Sequence, residues 1–230
     1  AQALMGMSRA QGGPDNAPVF PAQLAPTDYT TGALGAFGTV LAIFHRTRHG
    51  TVQRVDSNLL NGAVLLSSAW FSEYEGRPNR PLADKEQYGL NPFHRLFRLN
   101  DGWVYVVAQT EEQRQALCRV AGVEMDEGPS EGHPNETPFA RSLAAAFAAR
   151  ALGETLTALK QAGVPAAEAQ NGDSELFLDD PHTHANDMVA TVQHPTAGRL
   201  RVAHRYIQFG NTRAGARRPR SEEHTSELQS

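Results

Sequence analysis

The longest regular pattern of apolar residues follows Pro26. Its apolar positions recur at spacings of three, four and three residues, at Leu34, Phe37, Leu41 and Phe44. That period places them on one face of an α-helix. Pro26 disfavours helical geometry in the residue before it, and we expect Thr27 or Asp28 to cap the first exposed amides. Basic side chains between residues 45 and 49, followed by Gly50, suit a helix end, so the pattern predicts one long helix.

Glycines mark a second face of this helix. Gly32, Gly35 and Gly38 are three residues apart, and each costs about 1 kcal/mol of helix stability relative to alanine. We therefore expect another part of the protein to approach this face closely, as in passage between domains or between subunits. A second helix is predicted from Ser57 to about Tyr74.

The rest of the chain alternates between loops, hairpins and helices. Residues 75–92 contain three prolines, two glycines and many charges, which predicts a loop. Strand-like alternation around Asn100-Asp101-Gly102 predicts a hairpin over 93–108, and Thr110 is expected to cap the next helix, with Glu112 and Gln113 near its first turn. Further predicted elements are helices over 139–149 and 152–162, a short strand over 166–169, a short helix from Asp173 or Ser174 to Leu178, and a hairpin from Met188–Gln193 to Arg199–His204. This mixture predicts an α/β fold of the mixed α+β kind.

Composition and charge narrow the classes of function. The 230 residues carry a net charge of −4, so nothing favours a nucleic-acid partner or an anionic membrane surface. No apolar run approaches the roughly 20 residues of a membrane-spanning helix. Cys118 is the only cysteine, which excludes a disulfide within the chain and fits a reducing compartment. We predict a cytoplasmic protein that binds neither nucleic acid nor membrane.

Histidine pairs are the first candidates for a metal site. His45 and His49 are four residues apart on the predicted helix, but they lie among arginines that would oppose a dication. His182 and His184 follow an Asp-Asp-Pro sequence and fit a surface turn. The sequence contains neither the Gly-x-Ser-x-Gly motif of serine hydrolases nor a phosphate-binding glycine pattern. These residues alone therefore assign no metal, hydrolase or nucleotide site.

Several blocks of sequence resemble one enzyme family, in order along the chain. The first block lies on the long helix and just beyond it, at Asp28, Thr31-Gly32, Ala36, Arg46–Gly50, Gln53, Val55-Asp56 and Leu59-Leu60. Later blocks follow at Phe93–Ala108, Ala162–Ala166, Leu178–Pro181 and His194–Gly198. Together they resemble the class III CoA-transferases, the CaiB/BaiF family, which also contains formyl-CoA transferase-like enzymes and 2-methylacyl-CoA racemases.

The resemblance implies thioester chemistry. In that family an aspartate carboxylate attacks an acyl-CoA thioester, and CoA passes through an anhydride and an aspartyl thioester to a carboxylic acid. The matching position would fall upstream of Ala1, so we expect no catalytic residue in this chain and a missing amino-terminal half. Acyl-CoA and a carboxylic acid are the implied partners. Coenzyme A is then a substrate, and no separate cofactor is implied.

Residues near the substrate can be carried over from the family. Glu86–Pro92 occupies the place of the glycine-rich loop that covers the reacting thioester in formyl-CoA transferase-like members. The substrate-proximal residues predicted in this segment are Gln87, Tyr88, Gly89, Leu90 and Asn91. One glycine stands where those enzymes have a run, so a less flexible lid is expected. Asp28 aligns with a segment near the family's active site, and a plain helix N-cap is the alternative for it.

The resemblance also implies a domain division. We expect the carboxy-terminal part of a two-domain CaiB/BaiF fold: 1–28 ending the large Rossmann-like domain, 29–66 as connecting helices, 67–172 as a small domain, 173–196 as a returning linker and 197–219 back in the large domain. Family members form interlocked homodimers, which a glycine-faced helix suits. Residues 220–230 match the translation of a common sequencing adapter and are treated as an artefact, with a degenerate family block at Glu223–Thr225 as the alternative.

Two alternatives to CoA transfer remain open. A racemase-type isomerase shares the fold but moves an α-proton with a histidine and an aspartate, and both groups would lie upstream. The chain could also be catalytically inert when separated from the rest of such an enzyme.

Overall fold

The computed structural model describes residues 1–13, 15–19, 25–126, 128, 132–170, 172 and 174–211. The chain forms two compact units, of which the first is Ala1–Ala169 and the second starts at Gln170. The helices of the first unit are α1 (Met7–Gly12), α2 (Pro26–His49), α3 (Leu59–Leu66), α4 (Glu111–Ala121), α5 (Pro138–Ala148) and α6 (Leu152–Gln161). Its strands are β1 (Gly89–Asn91), β2 (His94–Arg98), β3 (Trp103–Val107) and β4 (Ala166–Glu168), and short 3₁₀ helices span Ser68–Trp70 and Pro134–Glu136.

A four-stranded antiparallel sheet of order β1-β2-β3-β4 lies in the first unit. The predicted hairpin is confirmed as β2 and β3, which pair from His94 opposite Val107 to Arg98 opposite Trp103. The predicted short strand is confirmed as β4. The predicted loop over 75–92 is wrong at its end, because Gly89–Asn91 pairs with β2 as an edge strand.

Side chains from this sheet and from α4, α5 and α6 form one core. Phe97 of β2 and Phe147 of α5 are 1% and 0% exposed, and their ring centroids lie 4.7 Å apart. The predicted Thr110 cap of α4 is confirmed, and the structure shows a capping box with Gln113: the Thr110 hydroxyl accepts from the Gln113 amide, and the Gln113 side chain accepts from the Thr110 amide. Leu117 of α4 is fully buried. This packing holds the sheet, including its edge strand β1, in place.

The predicted long helix is confirmed as α2. Gly50 ends it with a left-handed φ of 71°, and the Gly50 amide donates to the Arg46 carbonyl at 2.8 Å. The predicted caps are wrong, because Thr27 and Asp28 lie inside the first turn and no side chain caps the helix start. Pro26 occupies the first turn instead, where its fixed φ suits a helix and its missing amide costs nothing.

The predicted close approach to the glycine face of α2 is found at Gly38, which Val55 approaches. A Cβ on Gly38 would lie 2.7 Å from Val55 Cγ1, whereas nothing described lies within 4 Å of the position a Cβ would take on Gly32. The second predicted helix is shorter than expected. The Asn58 side chain, rather than Ser57, caps it, and α3 ends at Leu66.

Contact between α2 and α3 depends on a glycine of α3. A Cβ on Gly62 would lie 2.4 Å from Thr31 Oγ1 and 2.8 Å from the Thr27 carbonyl oxygen. Ser57 Oγ donates to the Thr31 carbonyl at 3.1 Å at the same junction. The two helices therefore meet closely only because residue 62 has no side chain.

The second unit contains α7 (Ser174–Asp179), α8 (Pro181–Ala185) and an antiparallel hairpin of β5 (Val189–His194) and β6 (Gly198–Ala203). The predicted short helix and the predicted hairpin are both confirmed. The turn of the hairpin closes on His194, whose Nδ1 accepts from the amides of Thr196 and Ala197. The predicted cap Asp173 and the predicted artefact at 220–230 lie outside the described residues.

Within the described ranges, the helices are all too short or too polar to cross a membrane. The division into large domain, small domain and linkers stays a prediction.

Candidate functional site

The predicted substrate-proximal segment is a tight turn followed by the edge strand β1. Gln87 adopts a left-handed φ of 61°, and its side chain is exposed. Gln87 donates its amide to the Asp84 carbonyl at 2.9 Å, and the Leu96 amide of β2 donates to the Tyr88 carbonyl at 2.8 Å. The segment is thus joined by backbone hydrogen bonds to its own turn and to the sheet.

Gly89 is needed for close packing of this segment. A Cβ at this position would lie 2.4 Å from both Arg95 Cβ and the His94 carbonyl oxygen. Real side chains do not tolerate such distances to backbone atoms. The glycine therefore lets β1 approach β2 at the point where their register is irregular.

A buried arginine lies beneath Tyr88. Arg95 is 6% exposed, and its guanidinium carbon lies 5.5 Å from the centre of the Tyr88 ring and 5.2 Å from that of Phe97. Burial lowers the pKa of the Arg95 guanidinium, while nearby Asp84, Tyr88 and Glu86 oppose that change. The Tyr88 ring also contacts Trp103, with ring centroids 5.3 Å apart. Cation–π and ring contacts therefore hold Tyr88 from two sides.

Asn91 ends the segment beside a pocket. Its side-chain oxygen accepts from the Phe93 amide at 2.9 Å. The pocket has a volume of about 250 Å³, and Phe93, Arg114 and Phe139 lie on its walls together with Asn91. Typical small-molecule pockets span about 300–1,000 Å³, so this one is too small to enclose an acyl-CoA.

Asp28 does not join the segment from Gln87 to Asn91. It lies in the first turn of α2, is exposed, and accepts from the Thr27 hydroxyl at 3.3 Å. The hydrogen bonds described for Asp28 do not reach residues 87–91. Residues 87–91 form one continuous turn and edge strand, and Asp28 belongs to a different element, α2.

The histidine pairs form no cluster with other ligand-type side chains. The rings of His45 and His49 lie 4.6 Å apart on α2, and Nε2 of His184 bonds the Leu178 carbonyl oxygen. Among the residues that the structure describes, no three His, Cys, Asp or Glu side chains come together as metal ligands would.

Two buried residues beside the segment were missed by the sequence reasoning. Asp84 is 2% exposed and Asn135 is 8% exposed, and the Asn135 amide nitrogen donates to the Asp84 carboxylate. They are 51 residues apart, so no local spacing rule joins them. Asp84 also lies in a run of charges where solvated side chains are the ordinary expectation. Only the folded chain shows that it is buried.

The fold has solved counterparts. A CaiB/BaiF family protein from Brucella suis matches with a TM-score of 0.68, 18% identity, and coverage of 99% of this chain and 60% of that protein. Identity this low defines the fold alone, and the fold is that of CaiB/BaiF proteins. The sequence then settles the family: the model of CoA-transferase family III matches residues 1–225, and the chain belongs to this family.

Relatives within the family differ in their named activities. The succinyl-CoA:mesaconate CoA-transferase of Haloarcula marismortui is 29% identical over 99% of this chain and 58% of its own length. The alpha-methylacyl-CoA racemase of Mus musculus is 32% identical over 54% of this chain and 33% of its own length. The chain thus spans little more than half the length of the transferase. The predicted family and fold class are confirmed.

Proposed function

We propose that this chain forms part of an acyl-CoA:carboxylate CoA-transferase. The observation that carries the proposal is the match of CoA-transferase family III to nearly the whole chain, from residue 1 to residue 225. The succinyl-CoA:mesaconate transferase aligns with 99% of the chain, whereas the mouse racemase aligns with 54%. An acyl-CoA and a carboxylic acid are the proposed substrates, and the proposed reaction uses no resident cofactor.

The proposed chemistry is nucleophilic catalysis by a carboxylate. An aspartate oxygen attacks the thioester carbonyl, which forms a mixed anhydride and releases the CoA thiolate. The thiolate attacks the aspartyl carbonyl, giving an aspartyl thioester and the free donor acid. The acceptor carboxylate then repeats these two steps in reverse, and the aspartate is regenerated without net gain or loss of a proton.

The reactive aspartate is proposed to lie outside these 230 residues. The residues proposed to meet the substrate are Gln87, Tyr88, Gly89, Leu90 and Asn91. Their turn is exposed at Gln87 and firmly joined to the sheet, as a rim of a binding site would be. The neighbouring pocket of about 250 Å³ supports a site that needs further parts of the protein to hold acyl-CoA.

Asp28 is proposed to lie near the same substrate in the complete enzyme. Its carboxylate is exposed at the start of α2, and the described structure gives it no charged partner. Replacing Asp28 by asparagine in an active protein tests this role: a raised KM with unchanged thermal stability supports it, and unchanged kinetics contradict it.

The experiment that tests the function compares two proteins: the 230-residue chain and the protein translated from the whole gene that encodes it. Each is incubated with an acyl-CoA donor and a set of carboxylic acids, and new acyl-CoA is measured by chromatography. We expect the whole-gene protein to move CoA and the 230-residue chain to be inert. Turnover by the 230-residue chain would overturn the assignment of the nucleophile to residues outside it.

Racemisation is the second candidate, because the mouse racemase is 32% identical where it aligns. An isomerase would exchange the α-proton of a 2-methylacyl-CoA with solvent and would need no acceptor acid. Incubation of the whole-gene protein in D₂O without a carboxylic acid separates the two. Deuterium at the α-carbon without CoA transfer would favour the racemase.

We further propose that the whole-gene protein forms an interlocked homodimer. Support comes from α2, whose outward apolar side chains Phe37, Val40 and Phe44 are 57–63% exposed. Apolar surface of this extent on one helix is expected to be covered. Replacing Leu41 by glutamate should lower the molar mass measured by light scattering, whereas Thr47→Glu, at an exposed polar position of α2, should not. A dimer that survives Leu41→Glu would contradict this assembly.

A further inference from the structure

A single buried residue closes the turn that precedes β1. Oδ1 of Asp84 accepts from the Tyr88 amide at 2.6 Å, and the Asp84 backbone amide donates to the Gly89 carbonyl at 3.0 Å. The Asp84 carbonyl accepts from the Gln87 amide at 2.9 Å. Backbone and side chain of one residue therefore bond three consecutive residues of the predicted substrate-proximal segment.

Asn135 holds the same turn from the 3₁₀ helix before α5. Its side-chain nitrogen donates both to Oδ2 of Asp84 and to the Gly89 carbonyl, the latter at 3.1 Å. Both partners are acceptors, so the side-chain amide can face them only with its nitrogen. Buried hydrogen bonds to a charged group are stronger than those between neutral groups, so the bond from Asn135 to the Asp84 carboxylate is a strong local constraint.

The constraint explains how Gln87 keeps an unfavourable backbone. A non-glycine residue in the left-handed region is strained, and such a residue persists when the surrounding structure holds its backbone in place. The amides of Gln87 and Tyr88 both donate to Asp84, and the Gly89 carbonyl accepts from the Asp84 amide, so the backbone on both sides of Gln87 is held. The exposed Gln87 side chain makes no hydrogen bond within the part of the chain that is described. Residues with strained backbones of this kind cluster at active sites and ligand-binding sites.

We propose that Asp84 and Asn135 are positioning residues that hold Gln87 and Tyr88 as a fixed rim of the acyl-CoA site. The inference rests on the proposed function and deepens it. Neither residue touches substrate; they set the backbone from which Gln87 presents its side-chain amide as a hydrogen-bond donor to a carbonyl or carboxylate oxygen of the substrate. The rim is preformed and does not need to close over the thioester.

The test uses three variants, Asp84→Asn, Asn135→Asp and the double variant that exchanges the two side chains. Asp84→Asn brings two amide nitrogens face to face, so the bond between residues 84 and 135 is lost. The double variant restores the bond between residues 84 and 135 with donor and acceptor reversed, because residue 84 then donates to residue 135. The bond from residue 135 to the Gly89 carbonyl stays lost, because an aspartate has no donor there. Asp101→Asn is the matched control, since Asp101 Oδ1 accepts the Leu152 amide at 2.7 Å in a different part of the unit.

Amide hydrogen exchange of the 230-residue chain is the first readout. We expect the Gln87 and Tyr88 amides to exchange at least tenfold faster in Asp84→Asn, with little change at the core residues Val104 and Val106. The double variant should recover part of the protection, and Asp101→Asn should leave these two amides unchanged. Unchanged exchange in Asp84→Asn contradicts the positioning role, whether or not the wild type is active.

Kinetics of the whole-gene protein are the second readout. Asp84→Asn should lower kcat at least tenfold with less than a threefold change in KM for acyl-CoA, and the double variant should recover part of kcat. A kcat unaffected while the two amides lose protection would overturn the catalytic half of the inference. Should Asp84→Asn fail to fold, Asn135→Ala replaces it, because it removes the bonds to Asp84 and to the Gly89 carbonyl and leaves the Gln87 side chain in place: kcat should fall, and an undiminished kcat would overturn the inference.

Failure of the proposed function has a different signature. A wild-type whole-gene protein with neither CoA transfer nor α-proton exchange contradicts the proposed function and, with it, the catalytic half of this inference. The exchange experiment still decides whether Asp84 and Asn135 hold the turn.

Discussion

Two regions of the first unit bury their apolar side chains to very different degrees. The sheet core, meaning β1–β4 with α4, α5 and α6, contains side chains such as Phe97, Leu143 and Leu159 that are at most 1% exposed. The arm, meaning α2 and α3, leaves Phe37 62% exposed and Phe44 57% exposed. The sheet core is completed by its own chain, whereas the arm presents an apolar face that nothing described covers. The same chain therefore contains one region whose apolar side chains are buried by its own residues and one region whose apolar side chains stay exposed.

Truncating one phenylalanine in each region should give the largest difference in the free energy of unfolding. Phe97→Ala removes a ring packed against Phe147 and should lower the free energy of unfolding by about 3–5 kcal/mol. Phe44→Ala removes an exposed ring of the arm and should change it by no more than about 0.5 kcal/mol. Urea unfolding followed by the fluorescence of Trp103 measures both. Equal effects would contradict the comparison.

Replacing Gly89, at the edge of the sheet core, should give the second-largest change in stability. Gly89→Ala forces a Cβ into the backbone of β2 and should destabilise the core by about 1–3 kcal/mol. Gly153→Ala is the matched control, because a Cβ there meets nothing within 4 Å and the added side chain favours α6 by up to about 1 kcal/mol. Thermal unfolding of both variants measures whether stability falls in Gly89→Ala and rises in Gly153→Ala. An unchanged stability of Gly89→Ala would mean that β1 is not held against β2.

The arm can be probed with a similar pair. Gly62→Ala should separate α3 from α2, at a cost of about 1–3 kcal/mol, because Thr31 and the Thr27 carbonyl leave no room. Gly32→Ala should raise the helix content slightly and stabilise α2 by up to about 1 kcal/mol, since its Cβ meets nothing described within 4 Å. Far-UV circular dichroism during thermal unfolding reports on both helices. Loss of stability in Gly32→Ala would show that this face is already covered in the 230-residue chain.

Replacing one threonine in each region by alanine should give the smallest changes in stability. We expect a loss of stability in the sheet core and no loss in the arm. Thr110→Ala removes the cap of α4 and should cost about 1 kcal/mol. Thr39 of α2 only bonds the Gly35 carbonyl one turn earlier, and Thr39→Ala should be neutral or stabilising by a few tenths of a kcal/mol. Chemical denaturation distinguishes the two outcomes. A neutral Thr110→Ala would show that α4 is fixed by packing alone.

Much of the local structure could be predicted because its signals are short in range. Pro26 and Gly50 bound α2, Thr110 and Gln113 start α4, and the turn around Asp101 joins β2 to β3; each of these depends on neighbours in sequence. The family was predicted for a related reason, since its ordered blocks remain readable in one chain and the family match confirms them.

Only the tertiary structure decided which polar residues lie inside. Asp84 and Asn135 are separated by 51 residues and meet because the sheet and the turn before α5 pack together. The same packing made Gly89–Asn91 a strand where composition predicted a loop, because hydrogen bonds from a neighbouring strand outweigh weak local preferences. The sequence thus determined the helices, the hairpins and the family, for which short-range stereochemistry suffices. The buried hydrogen bond between Asp84 and Asn135 depends on the tertiary structure, because its two partners lie far apart in sequence and meet only in the folded chain.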